Sequence, residues 1–332
     1  MTEPHPFAQY VRILGRGKSF QRGFTEEEAE ASMGMILDDQ VEPEQLGAFL
    51  MLLRVKEETP EEVAGFVRAA KSRFTLPDPM PSIDLDWSSY AGKRRQLPWF
   101  LLSALVLAAN GVRIFMHGTE GHTPGRVYTR ETLEALGLPV AQSLTEAASQ
   151  IDQSNFAYLP LAVLSPRFHA IIELRPLLGL RSPVHTVARM LNPFDAPYLL
   201  QGVFHPGYNL IHQGAAALLG QPHMAVFRGE GGEIERRASK PCEVFNLHDG
   251  VLTTVVWPPL LDDSVQPHDE EMSLERLAGV WAGTVQDDYA DAAITGTLAI
   301  ALHQLGRAAD PASAQVLAEE MWQARDRDRL AA

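Results

Sequence analysis

Residues 49–71 read FLMLLRVKEETPEEVAGFVRAAK, and this stretch decides the fold. Together with Leu46, the positions Phe49, Leu50 and Leu53 keep helical spacing. Pro60 sits where a second helix begins, because proline is accommodated in a first helical turn. Pro43 has the same place upstream, and Thr25 followed three residues later by Glu28 forms a capping-box pattern. Residues 25–73 therefore read as a small helical bundle. The next segment, LPDPMP at 76–81, breaks the pattern and reads as a linker or hinge.

Beyond the linker, short apolar runs alternate with helices and glycine turns. Residues 112–116, 224–227 and 251–256 read as strands, and residues 273–305 and 312–330 as alanine-rich helices. Alternating signals of this kind imply an α/β architecture, mainly a parallel sheet with helices on both faces. The expected division is a helical domain over 1–75, with an insertion from about 160–185, hinged to an α/β domain over 76–332.

At 332 residues, with 45% hydrophobic and 21% charged residues, the composition is that of an ordinary globular protein. No segment is long and apolar enough to cross a bilayer, and the start lacks the apolar core of a signal peptide, so a cytoplasmic location is expected and no membrane partner. The single cysteine, Cys242, excludes an internal disulfide framework and reads as a packing residue. No Cys/His spacing resembles a structural zinc site, and the dispersed histidines read as structural.

A formal net charge of -14 argues against a nucleic-acid partner if the charge is evenly spread, but it is not. Residues 4–25 carry Arg12, Arg16, Lys18 and Arg22 without an acid and read as a basic arm or a solvated terminus. The acidic run at 262–271 offers a protein-interaction surface as a third reading of the chain. Residues 88–103, SSYAGKRRQLPWFLLS, place Lys93, Arg94 and Arg95 just before a helix start. Helix N-termini favour anions, and three cations add to that. Trp99 beside them reads either as a base-stacking platform or, in preference, as a core residue.

Residues 49–71 also resemble the helical domain of anthranilate phosphoribosyltransferase, whose motif runs close to L-x-x-L-R-x-K-G-E-T-x-E-E. Downstream, ANGVRIFMHGTEGHTPGRVYTRETLEALG, LGLRSPVHTVARMLNP and LLQGVFHPGYNLIHQGAAALLG resemble further segments of that family, in its order. The resemblance implies a helical domain hinged to an α/β domain of the nucleoside phosphorylase/phosphoribosyltransferase type, and a homodimer formed through the helical domains. It also implies phosphoribosyl pyrophosphate and magnesium in the cleft between the domains.

Departures concentrate at the implied phosphate and metal contacts. Where the family carries Gly-Thr-Gly-Gly-Asp, this chain has Ser89, Tyr90, Ala91, Gly92 and Lys93, and Asn-x-Ser-Thr falls on Pro98, Trp99, Phe100 and Leu101. Met116 replaces a lysine, while His117 and Gly118 are kept. The adjacent Asp-Glu pair that holds magnesium is reduced to Glu233, followed by Arg236 and Arg237, which repel a dication. Arg181 matches the arginine facing the aromatic carboxylate, and Arg189 is an added cation.

This combination is similar to the YbiB-type paralogues, a bacterial family that keeps the fold and binds nucleic acids without marked sequence preference. The resemblance implies backbone binding through Lys93, Arg94, Arg95, Arg181, Arg189, Arg236, Arg237 and Lys240, with Gly92, His117, Gly118 and Glu233 as remnants of a substrate site. No catalytic residue and no cofactor are expected on that reading. The alternative is a phosphoribosyltransferase or nucleoside phosphorylase acting on another acceptor, with magnesium and phosphoribosyl pyrophosphate.

Overall fold

The computed structural model describes residues 3–17, 20–262, 268–269 and 271–330. Four helices come first: α1 (Ala8–Gly15), α2 (Glu26–Leu37), α3 (Pro43–Lys56) and α4 (Pro60–Lys71). Local chemistry sets their starts. Thr25 and Glu28 form the reciprocal cap of α2, Thr59 and Glu62 that of α4, and prolines open α3 and α4. Helices α2 and α4 lie so close that a Cβ on Gly65 would stand 2.3 Å from the Glu26 carbonyl oxygen.

The basic segment 4–25 is not a free arm. Phe7 is buried with its ring 5.4 Å from that of Phe49, α1 packs on α3, and Arg22 pairs with Glu28 at 2.6 Å. Apolar contact thus overrides the charge of the segment; Lys18 lies outside the described residues.

After residues 76–81 the chain enters a seven-stranded sheet of order β3-β2-β1-β4-β5-β6-β7. The strands are β1 (Leu85–Ser89), β2 (Ile114–Gly118), β3 (Phe156–Pro160), β4 (Tyr198–Val203), β5 (His223–Arg228), β6 (Cys242–His248) and β7 (Val251–Trp257). Strands β1 to β5 pair in parallel, whereas β6 and β7 run antiparallel. The sheet is therefore mixed. The sequence reading located β2, β5 and β7 and missed the other four.

Alternate side chains feed two cores. Trp87, Ile114, Met116, Leu200 and Phe227 face one core together with α5 (Phe100–Ala109) and, in the C-terminal region, Glu275–Ala282, Asp288–Gln304 and Pro311–Gln323. Trp99 and Cys242 are buried in that same core. Phe115, Leu199, Met224 and Val226 face the other, which also contains α1–α4 and the short helices Leu161–Leu164, Pro166–Ile172 and Val184–Ala188. The period of two along each strand is what lets one sheet serve both layers. The acidic run at 262–271 is described only at Asp262, His268, Asp269 and Glu271, and its reading as an interaction surface otherwise lies outside the described residues.

Candidate anion-binding cleft

The site forms at the carboxyl ends of the parallel strands, where open α/β sheets gather their ligand-binding loops. After β1 the chain turns through Tyr90, Ala91 and Gly92 before reaching α5. Gly92 has φ +68°, and a Cβ there would lie 2.7 Å from the Tyr128 ring, so no other residue fits without displacement. The N–H groups of Ala91 and Gly92 both donate to Glu233 Oε1, each at 2.6 Å. Two residues on, Glu235 accepts from the Lys93 ammonium and, through Oε2, from the Phe100 N–H at the start of α5, at 3.0 Å.

Glu233 and Glu235 thus occupy donors that would otherwise face an anion. Burial pushes the Glu235 carboxyl up to about 7, against the pull of Lys93. The backbone of Glu233 is held from two sides: a Cβ on Gly229 would stand 1.6 Å, and one on Gly202 2.4 Å, from its carbonyl oxygen.

Outside this closed turn lies an open cleft of about 320 Å³. Arg94, Arg95, Arg126, Arg228, Arg237 and Lys240 line it, with Glu230 as its one lining carboxylate and Phe204 as its aromatic wall. Among the described residues, none of the six cations forms a salt bridge. Burial, with Arg228 close by, lowers Arg237 from its ordinary value. Arg228 lies 5.9 Å over the Phe204 ring, and Arg126 fixes the turn by donating to the carbonyls of Ala91 and Gly92 at 2.8 and 3.0 Å.

Phe204 also walls a second, smaller pocket of about 110 Å³ between the helical layer and the sheet. Arg54, Arg181, Arg189, His185 and Tyr208 line it, and Glu58 accepts from Tyr208 Oη at 3.1 Å. Burial, with Arg126, Arg175 and Arg189 nearby, draws Arg181 down to about 10. Burial and the neighbouring Arg189 and Arg181 draw His185 down to about 3, so its imidazole is neutral through the physiological range. Ser182 Oγ and His185 Nε2 are buried without a protein partner. Three arginines against the one lining carboxylate Glu58, beside orphaned polar atoms, suit a small anionic or polar ligand.

Of the residues expected to bind phosphate, the structure gathers Arg94, Arg95, Arg237 and Lys240 in the open cleft, and Arg181 and Arg189 in the smaller pocket. Two of those expectations are corrected. Lys93 is 1% exposed and paired with Glu235, and Arg236 is 1% exposed, donating to the Pro258 carbonyl and lying 5.4 Å over Trp257. Each turns inward because a buried acceptor or ring awaits it. Gly92 and Glu233 meet in the closed turn. His117 lines neither of these two compartments: it is fully buried, 2.7 Å from Tyr90 Oη and 3.2 Å from Asp86. Gly118 is a packing glycine, since a Cβ would stand 2.1 Å from the Ser89 carbonyl oxygen. Sequence reasoning missed Arg126, Arg228, Phe204 and Glu235. Arg228 had a signal, because it closes a readable strand at the carboxyl edge of the sheet.

A magnesium–pyrophosphate site does not fit these residues. Glu233 is spent on two backbone N–H groups and Glu235 on an ammonium, and among the described residues no three His, Cys, Asp or Glu side chains are grouped to hold a metal. The open cleft beside them presents cations.

Residues 8–73 match the helical bundle domain, and residues 100–321 the a/b domain, of a glycosyl transferase family. The anthranilate phosphoribosyltransferase of Anaeromyxobacter sp. is 30% identical over 307 residues, which is 85% of this chain and 85% of that one. That of Oleidesulfovibrio alaskensis is 29% identical over 269 residues, covering 77% and 80%. The anthranilate phosphoribosyltransferase of Thermus thermophilus superposes with a TM-score of 0.76 at 20% identity, over 96% of this chain and 94% of its own. The chain belongs to this glycosyl transferase family and is anthranilate phosphoribosyltransferase-like in sequence and fold.

Proposed function

We propose that the chain binds the phosphate backbone of nucleic acid in the open cleft, with low sequence selectivity, and does not transfer phosphoribosyl groups to anthranilate. The observation that carries this reading is the placement of charge. The inner turn is closed by Glu233 and Glu235, while Arg94, Arg95, Arg126, Arg228, Arg237 and Lys240 line the outer cleft without salt bridges among the described residues. Cations of that kind displace counterions from a polyanion, and Phe204 beside them supplies a face on which a base can stack. The resemblance of YAGKRRQLPW to nucleic-acid-binding paralogues supports the same reading, and with it a homodimer through the helical domains in the cytoplasm. Among the described residues no helix is long and apolar enough to cross a membrane.

Anisotropy titrations with unrelated oligonucleotides at several salt concentrations test the proposal. The expected result is similar affinity for each sequence and a linear fall of log affinity with log salt. Absence of binding at low salt refutes it.

The relatives favour a second reading, pentosyl transfer to an unidentified acceptor, and the pocket around Arg181, Ser182 and His185 is the observation behind it. Turnover of phosphoribosyl pyrophosphate in the usual range of about 1 to 1,000 per second with any aromatic carboxylate establishes that reading. Turnover with anthranilate itself overturns the proposal above.

A further inference from the structure

We infer that the turn at Ala91 and Gly92 is an anion cradle permanently filled by the chain's own Glu233, so that pyrophosphate gains access to it only when that carboxylate is removed. Two consecutive N–H groups converge on a single oxygen at 2.6 Å each, with the left-handed Gly92 completing the concavity. Successive backbone N–H groups in such a turn form a nest for anions, and carboxylate and phosphate oxygens serve it alike.

The two N–H groups are the hydrogen-bond donors that meet the occupant, and the nearby Arg189 guanidinium favours its charge. Glu233 is 1% exposed, and its second oxygen, Oε2, is buried with no hydrogen-bond partner. A carboxylate placed in the interior for packing gains nothing from that arrangement, because an unmet buried acceptor is costly. The close approach of Gly229 and Gly202 to the Glu233 carbonyl holds the backbone of that residue beside the turn. The neighbouring donor, the Phe100 N–H at the start of the ten-residue helix α5, is likewise taken, by Glu235. The inner site is thereby closed to small phosphorylated molecules while the outer cleft stays open to longer polyanions.

Inorganic pyrophosphate is the probe, in a background that removes three of the outer cleft's six cations (Arg94→Ala, Arg95→Ala, Lys240→Ala) and is common to every variant compared. In that background Glu233→Ala is expected to bind pyrophosphate about tenfold to a hundredfold more tightly than Glu233→Gln, whose amide oxygen still meets both N–H groups. Calorimetry reads the difference. Equal affinity of the two folded variants overturns the inference. Where Glu233→Ala does not fold, Glu233→Ser carries the same comparison. The otherwise unaltered protein supplies a check that needs no folded variant. At saturating pyrophosphate no through-hydrogen-bond coupling from the Ala91 or Gly92 N–H to phosphorus should appear, and one such coupling overturns the inference; the coupling is read in place of the chemical shift because Arg126 joins the turn to the outer cleft. Neither readout involves nucleic acid, so its failure is separable from failure of the cleft reading.

Discussion

Lys93 and Glu235 form an ion pair whose side chains are 1% and 0% exposed, and this pair ties the basic turn to the loop after β5. Removing one member leaves the other charge buried without compensation, which typically costs about 3–5 kcal/mol. Lys93→Met is therefore expected to destabilise the protein by that order in urea unfolding, without acting through ligand affinity.

The same variant has a signed pH dependence. Glu235 is raised from its ordinary 4.5 to about 7, so the folded state binds more protons than the unfolded state across that window. The stability from its protonation is fully present below the unfolded value and is lost as pH rises toward the folded one. Loss of the Lys93 charge raises the folded value further. The deficit of Lys93→Met relative to the parent should consequently be larger at pH 8 than at pH 5, and an equal deficit at both contradicts the pairing.

Arg94→Ala with Arg95→Ala is the informative change for binding, because these side chains are exposed and line the cleft. The log–log salt slope should fall by roughly 0.7 to 0.9 for each phosphate no longer neutralised. Affinity should weaken by similar factors for unrelated oligonucleotides, with the melting temperature unchanged. Anisotropy and thermal unfolding measure the two effects separately, and a loss limited to one sequence removes the two arginines from backbone contact.

Glu57 follows α3 at φ +66° and ψ 148°, a conformation essentially confined to glycine. The motif that residues 49–71 resemble has glycine at this place. Relief of strain of about 1–3 kcal/mol outweighs the added freedom of the unfolded chain, so Glu57→Gly should raise stability by about 1 kcal/mol. A lowered melting temperature contradicts this.

Gly65→Ala should act in the opposite direction. The new methyl group would meet the Glu26 backbone at 2.3 Å, and both partners belong to packed helices, so a loss of about 1–3 kcal/mol is expected in chemical unfolding. An unchanged midpoint would show that α2 can move away from α4.

The helices were legible because their signals are local: Thr25 with Glu28, Pro43 and Pro60 mark starts within a few residues. Strands β1 and β4 were not, because Asp86, Ser88 and Gln201 interrupt their apolar pattern. Gln201 is satisfied by distant partners, the His212 ring at 2.5 Å and the Arg189 carbonyl at 2.8 Å. The site divides in the same way. Sequence placed Lys93, Arg94 and Arg95 together, but a turn sends adjacent side chains in different directions, and only a buried carboxylate decides which one goes inward. Arg126 reaches the cleft from a loop and Arg228 from the end of β5, a proximity that spacing along the chain does not encode.

Phe204 is a wall of both the cationic cleft and the smaller pocket. A ligand that turns its ring in one compartment alters the shape offered by the other. Thermodynamic reciprocity then requires the two affinities to change by the same factor, whichever ligand binds first. On the proposed reading, a strand in the cleft and a small anion beside Arg181 would then be linked occupants, each reporting on the other's presence through one aromatic side chain.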